Sequence, residues 1–352
     1  MILVLIEPEA GLASAGADAG AGADAGADGG TDLISLEALA FARSLASAAE
    51  AAGGSPARIE ALVVGPHPSG MLAELAAQGV AVVHHADDPR LERYAAAAWA
   101  ASLAQVVASG APDVVLAAGS PRGGEVLAHL AARSGLPMAA NCVSVEPADG
   151  GLLASRQVMG GSALEEVLLR PAGPGVPALL TMAGHAVEPQ VAAEPATPQV
   201  RTFVPQLSDA DLLAQVRSVE PVQTGGADLT KARVVVGAGR GVGGPEQFGD
   251  LLELVELLGG ALGVSRVVTS LGWRPHHEQV GQTGSRISPD VYLACGISGA
   301  IQHWAGCSTA KTIIAINTDA EAPMVTKADY AVIGDLHEIV PAINDELRSR
   351  LS

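Results

Sequence analysis

The chain has 352 residues, enough for two domains of ordinary size, each with its own core. Its 20 basic and 38 acidic residues leave a net charge of −18, which repels nucleic-acid phosphates and anionic membrane surfaces. Three each of Phe, Trp and Tyr are also too few for the stacking platforms of a single-strand binder, so nucleic acid is excluded as a partner.

The first apolar run, 2–6, has no basic residue before it and meets Glu7 and Glu9 at once, so it reads as a β-strand and not as a signal peptide. Residues 11–30 are nearly all Ala, Gly and Asp, with nothing to bury, and read as a flexible insertion. Their aspartates are too sparse, and lack the closing glutamate, for a calcium loop. Strands are then predicted at 61–65, 80–84 and 113–119, with helices near 34–52, 70–78, 90–109 and 122–135 between and after them. Uninterrupted apolar strands alternating with helices predict a parallel sheet covered on both faces. The uncharged stretch 94–112 is Ala-rich and carries Ser102, Gln105 and Ser109, so a buried helix is predicted there, with no membrane insertion.

Strands near 140–146, 153–159 and 177–183 follow without helices, which predicts an antiparallel extension of the sheet. From 187 to 221 prolines recur and the composition turns polar, as in a long connecting segment. The alternation then restarts, with strands at 233–237, 266–270, 291–295, 312–317 and 330–334 and helices at 246–258 and 335–350. The predicted architecture is therefore α/β with two domains, an N-terminal one over 1–221 and a second, doubly wound one over 222–352.

The second domain carries the chemistry. Gly239, Gly241 and Gly244 match GxGxxG between a strand and a helix, but the predicted next strand, RVVTS, ends in Thr269 and Ser270 where a dinucleotide site would place an acid. The glycines are therefore assigned to a tight turn that presents Arg240. Further on, VGQTG (280–284), the strand VYLAC and GISGAIQHWAG (296–306) build a hydroxyl-bearing turn, a buried strand, and a helix opening on small residues, where a pyrophosphate can settle on free N–H groups. His84–His85 and His276–His277 are adjacent pairs that diverge on any regular element, Cys142, Cys295 and Cys307 form no CxxC pair, and no metal site is expected. The cysteines indicate no disulfide framework either and fit a reducing, cytoplasmic setting.

VGQTG, GISGAIQH, AINTDAEAP and ADYAVIGDLHEIVP, in this order and spacing, resemble the flavin domain of the electron-transfer flavoprotein α subunit, most strongly over 232–343. More weakly, PDVVLAAGSPRGGEVLAHLAARSGLP and ASRQVMGGSALEEVLL resemble that family's first domain, with departures at GSPRGGEVL and LLTMAGHA. The resemblance implies a nucleotide-hydrolase-like first domain and a Rossmann-like second domain holding FAD. It places Arg266 over the flavin ring with Ser265 touching the cofactor, Thr283 near N5 with Val280, Gly281 and Gln282 beside it, and His303 as a donor to the pyrimidine oxygen. Ser298, Gly299, Ala300, Ile301 and Gln302 line the pyrophosphate side, Asn317 lies near phosphate and ribose, and Asp335 with Leu336 lies near the adenosine. Asp335 also reads as the N-cap of the last helix.

The implied activity is electron carriage and not substrate turnover. The family's α subunit pairs with a β subunit, accepts electrons from flavoprotein dehydrogenases such as the acyl-CoA dehydrogenases of fatty-acid β-oxidation, and delivers them to a membrane quinone oxidoreductase. Two alternatives stand beside this one: a subunit of an electron-bifurcating member of the same broad family, and a nicotinamide-dependent oxidoreductase built on GAGRGVGG.

Overall fold

The computed structural model describes all residues except 10–29, 68–69, 160–162, 171, 174, 185, 219–228, 230–231 and 352. The insertion predicted at 11–30 thus lies, but for Gly30, outside the described residues. Two compact units are present, Met1–Val158 with Leu164–Glu220, and Met159–Ala163 with Pro221–Ser352.

The first unit is a nine-stranded sheet in the order β7-β6-β5-β8-β4-β1-β2-β3-β9. Its centre is β1 (Ile2–Ile6), parallel to β2 (Ile59–Val64) on one side and β4 (Val114–Ala118) on the other. Every residue of β1 is buried because successive side chains enter two different cores. Ile2, Val4 and Ile6 join one cluster, with α1 (Leu33–Ala51), while Leu3 and Leu5 join the other, with α3 (Ala96–Gly110) and α4 (Pro121–Ser134). The helix ends are specified locally. The Asp32 side chain accepts from the N–H of Ile34 at the start of α1, and the Ser120 hydroxyl accepts from the N–H of Gly123 at the start of α4, just before Pro121.

The run 94–112 predicted as a buried helix holds α3, whose buried face includes Trp99, Ser102 and Leu103; the Ser102 hydroxyl is satisfied by the carbonyl of Ala98. Among the described residues no helix is long and apolar enough to cross a membrane. The antiparallel extension is present as β5 (Met138–Ala148) with β6 (Gly151–Val158), but β8 (Ala178–Met182) returns between β5 and β4 and is parallel to both. Two strands differ from the sequence reading. The outermost β7 (Ala163–Leu169) went unpredicted, and the supposed connecting segment contains β9 (Gln199–Phe203), which pairs in parallel with β3 (Val82–Ala86). Glu165 and Glu166 interrupt β7 and only Leu169 of it is buried, while β9 is polar and mostly exposed, so the apolar signal of a covered strand is missing from both.

At the carboxyl end of β1 the side chain of Glu7 is buried, accepts from the Ser120 hydroxyl, and lies at the N-terminus of α4. The Glu7 N–H in turn donates to the hydroxyl of Ser35 in α1. Burial raises the Glu7 carboxyl above the usual carboxylate range, against the opposing pull of Ser120.

The second unit is a five-stranded parallel sheet in the order β11-β10-β12-β13-β14: β11 (Ala261–Val264), β10 (Val234–Ala238), β12 (Val291–Cys295), β13 (Thr312–Asn317) and β14 (Tyr330–Ile333). Helices α5 (Gly249–Leu258) and α9 (Leu336–Leu351) carry one of its two cores with Val236, Leu293 and Ile316, while Val235, Tyr292 and Ala315 lie in the other. The predicted strand 266–270 is instead α6 (Arg266–Ser270), and the strand preceding it is ALGV. Arg266 is therefore the first residue of a short helix and not of a strand.

Candidate functional site: a cleft at the switch point of the second sheet

From β10 the chain passes to β11 on one side and then returns to β12 on the other side of β10. The turns after β10 and β12 consequently diverge around a crevice, the position at which open α/β sheets bind ligands. A cleft of about 690 Å³ lies there, within the usual range for cofactor sites. Among its lining residues are Arg240, Ser265, Arg266, Ser298, Gly299, Ala300, Gln302, His303 and Asn317, drawn from four separate stretches of sequence and all singled out above. Val267, Ser270, Leu271, Gly296, Ile297, Asp319 and Ala322 line it as well.

The glycine turn works as predicted, though its partner is another turn. The N–H groups of Gly239 and Gly241 donate to the carbonyls of Cys295 and Gly296, at 2.9 and 3.1 Å. A Cβ on Gly239 would fall 2.1 Å from the Gly296 oxygen, so only glycine lets the two turns touch. Gly299 has φ +80°, and a Cβ there would fall 2.3 Å from the nitrogen of Met324. Its smallness therefore serves the fit of the chain to itself, beyond any ligand. The strand after the glycine turn ends at Val264 and is followed by Ser265, so no carboxylate stands where a nicotinamide dinucleotide would need one.

Arg240 opens a 3₁₀ turn (Arg240–Val242) and Arg266 opens α6; both are exposed, and neither makes an ion pair among the described residues. Ser265 occupies the N-cap position of α6 without capping it through its side chain, which leaves the hydroxyl uncommitted. The Thr283 hydroxyl accepts from Gln279 Nε2 at 3.0 Å, and Gln279 Oε1 accepts from Thr269 Oγ1 at 2.7 Å. The buried Gln279 thus ties the arginine-bearing helix α6 to the VGQTG turn, and the Thr283 proton remains free for another acceptor. The sequence offered no sign of Gln279, because its role depends on partners from two other segments.

Helix α7 spans Ile301–Cys307, so GISGA forms the turn before it and His303 is its third residue. The Gln282 N–H donates to the carbonyl of Gln302 at 2.8 Å, docking the VGQTG turn on α7. His303 is only 6 % exposed; its Nε2 lies 2.7 Å from the hydroxyl of Tyr292, and its Nδ1 makes no hydrogen bond of ordinary geometry. Burial pushes its imidazole down to about 4, opposed more weakly by the Val280 backbone, so the ring is neutral at pH 7.

Asn317 donates from Nδ2 to the Ile297 carbonyl at 3.0 Å and accepts the Asp319 N–H at 3.1 Å, which fixes the turn after β12 onto β13. Asp335 accepts the His337 N–H at 2.9 Å, as the cap reading foresaw, and Leu336 packs into the core beside Gly296. Val280, Gly281, Gln282, Thr283, Ile301, Asp335 and Leu336 are not among the residues that line this cleft. His84 and His85 bond to Glu60 and to the Gly65 carbonyl respectively.

Residues 228–308 match the family model described as the electron transfer flavoprotein FAD-binding domain, and residues 21–208 match the electron transfer flavoprotein domain. The electron transfer flavoprotein subunit alpha of Mycobacterium tuberculosis is 37% identical over 317 residues, covering 90% of this chain and 94% of its own length. That of Mycobacterium leprae is 36% identical over 318 residues, with 90% and 94% covered. Protein FixB of Clostridium saccharobutylicum is 32% identical over 297 residues, with 84% and 87% covered. With matches to both domain models and relatives aligned over nine-tenths of its length, the chain belongs to the electron-transfer flavoprotein α-subunit family and carries that family's FAD-binding domain.

Proposed function

We propose that this chain is the α subunit of a heterodimeric electron carrier, holding one FAD in a C-terminal domain over 222–352 and pairing with a β subunit partly through an N-terminal domain over 1–221. It takes electrons from flavoprotein dehydrogenases, of which acyl-CoA dehydrogenases are the leading class, and passes them to a membrane quinone oxidoreductase without turning over a substrate of its own. The observation that carries this reading is the convergence in one switch-point cleft of cationic, hydroxyl and imidazole groups from four distant segments.

The chemistry of the cleft fits an anionic, planar, hydrogen-bonding cofactor. Among the described residues, two guanidiniums without an ion pair, hydroxyl protons at Ser265 and Thr283, and a buried His303 ring nitrogen without a hydrogen bond of ordinary geometry all have capacity left over after the protein's own contacts are made. FAD supplies reversible one- and two-electron chemistry when bound. Arg240 and the turn before α7 receive the pyrophosphate. Arg266 holds a positive charge that no pH change in the physiological range removes, where electron density accumulates. Thr283 and His303 orient the ring by donating to it, and Asn317 keeps the receiving turn in place. On the adenosine side, Asp335 and Leu336 set the end of α9.

The test is to co-express the chain with a β subunit, extract the cofactor and compare it with standards. FAD near one per heterodimer, bleached by an acyl-CoA dehydrogenase and its substrate, is expected. FMN alone, or no flavin in a well-folded heterodimer, overturns the reading.

A further inference from the structure

Tyr292 is the largest fully buried side chain of β12, and its hydroxyl has a single hydrogen-bonding partner among the described residues, Nε2 of His303 at 2.7 Å. Space for that hydroxyl is reserved on the neighbouring strand. A Cβ on Gly237 of β10 would fall 2.2 Å from the Tyr292 oxygen, so any other residue there would displace the phenol. Burial holds the phenol well above its ordinary range, so it keeps its proton, and the imidazole is neutral, with one proton to place on either nitrogen. If Nε2 carried that proton, the phenol would have to accept it, and its own O–H would be left in the core without an acceptor. If Nε2 is bare, the phenol donates to it, and only the ring N–H at Nδ1 is left to find an acceptor.

We infer that Tyr292 is a positioning residue, whose donation to Nε2 fixes the proton of the neutral His303 ring on Nδ1, the nitrogen that makes no hydrogen bond of ordinary geometry among the described residues, on a side chain that lines the cleft. The inference deepens the reading of this cleft as the FAD site and rests on it for what Nδ1 donates to, namely a carbonyl acceptor of the flavin. Gly237, Tyr292 and His303 thus form a relay of shape, then hydrogen bond, then tautomer, running from the sheet interior to the cleft.

The experiment uses the FAD-loaded heterodimer with ¹⁵N-labelled histidine. Two-bond ¹⁵N–¹H correlation spectra at pH 7 report which ring nitrogen is protonated, and the His303 signals are identified by their loss in His303→Gln. The Nδ1–H form alone is expected; the Nε2–H form overturns the inference without any further variant. Tyr292→Phe, which keeps the ring and removes the donor, is expected to give a mixture of both forms and to shift the flavin absorption bands, and Tyr292→Phe with wild-type tautomer and bands also overturns it. Flavin content is measured on the same samples. Failure to bind FAD would count against the assigned cofactor, whereas the tautomer of the flavin-free chain would still report on Tyr292.

Discussion

Arg240 and Arg266 line the same cleft with no carboxylate committed to either among the described residues, in a chain whose net charge is −18. A fixed cation in a preorganised site favours added electron density by an amount on the order of 2–3 kcal/mol. Arg266→Ala is accordingly expected to lower the first-electron potential of the bound flavin by about that free energy, with FAD content retained, in a spectroelectrochemical titration. Arg266→Lys should recover only part of the loss, because an ammonium keeps the charge but not the planar stacking surface. An unchanged potential in the alanine variant would assign the arginine to another role. At this scale, Arg240 was legible from its glycine run, whereas Ser265, Arg266 and His303 came from the family resemblance, and all four line one cleft. Gln279 and Tyr292 escaped notice because their importance lies in hydrogen bonds to side chains elsewhere in the chain, and no spacing announces such a bond.

Among the elements, those with both faces covered were readable: VYLAC and TIIAIN are continuous apolar runs, and they are β12 and β13 to the residue. RVVTS misled because two adjacent valines suggest a strand, yet in α6 Val268 is buried while Val267 is 44 % exposed. The real strand, ALGV, is only four residues long and includes a glycine, too little for a pattern to show. A testable consequence at this scale concerns the end of β1 and the start of α4, where Glu7 is buried with its carboxyl raised by desolvation. Between the carboxyl's unfolded value, near 4.5, and its raised folded value, the native state binds more protons than the unfolded chain, so this group's contribution to stability falls as pH rises. Glu7→Gln removes that slope. Its melting temperature relative to wild type is expected to increase from pH 4.5 upward, read by calorimetry across a pH series; a difference independent of pH would show that Glu7 titrates alike in both states.

Taken as a whole, the chain holds two sheets, the first mixed and the second parallel, each with its own cores, and the crevice of the second is lined by Arg240 and Arg266, neither in an ion pair among the described residues. Each sheet unit also keeps cysteine out of water: Cys142 in the first, Cys295 and Cys307 in the second, all free thiols pushed up to about 12 by burial. Only the thiolate attacks an alkylating reagent, so these side chains react when their surroundings open and not before. The chain therefore carries a separate clock in each half, readable by mass spectrometry from the rate at which each cysteine is labelled. Free FAD at a hundredfold excess over its dissociation constant stabilises the half that binds it by about 2.7 kcal/mol, which makes opening roughly a hundredfold rarer. Labelling of Cys295 and Cys307 should slow accordingly while Cys142 keeps its pace. A common slowing of all three would mean that the two halves breathe together.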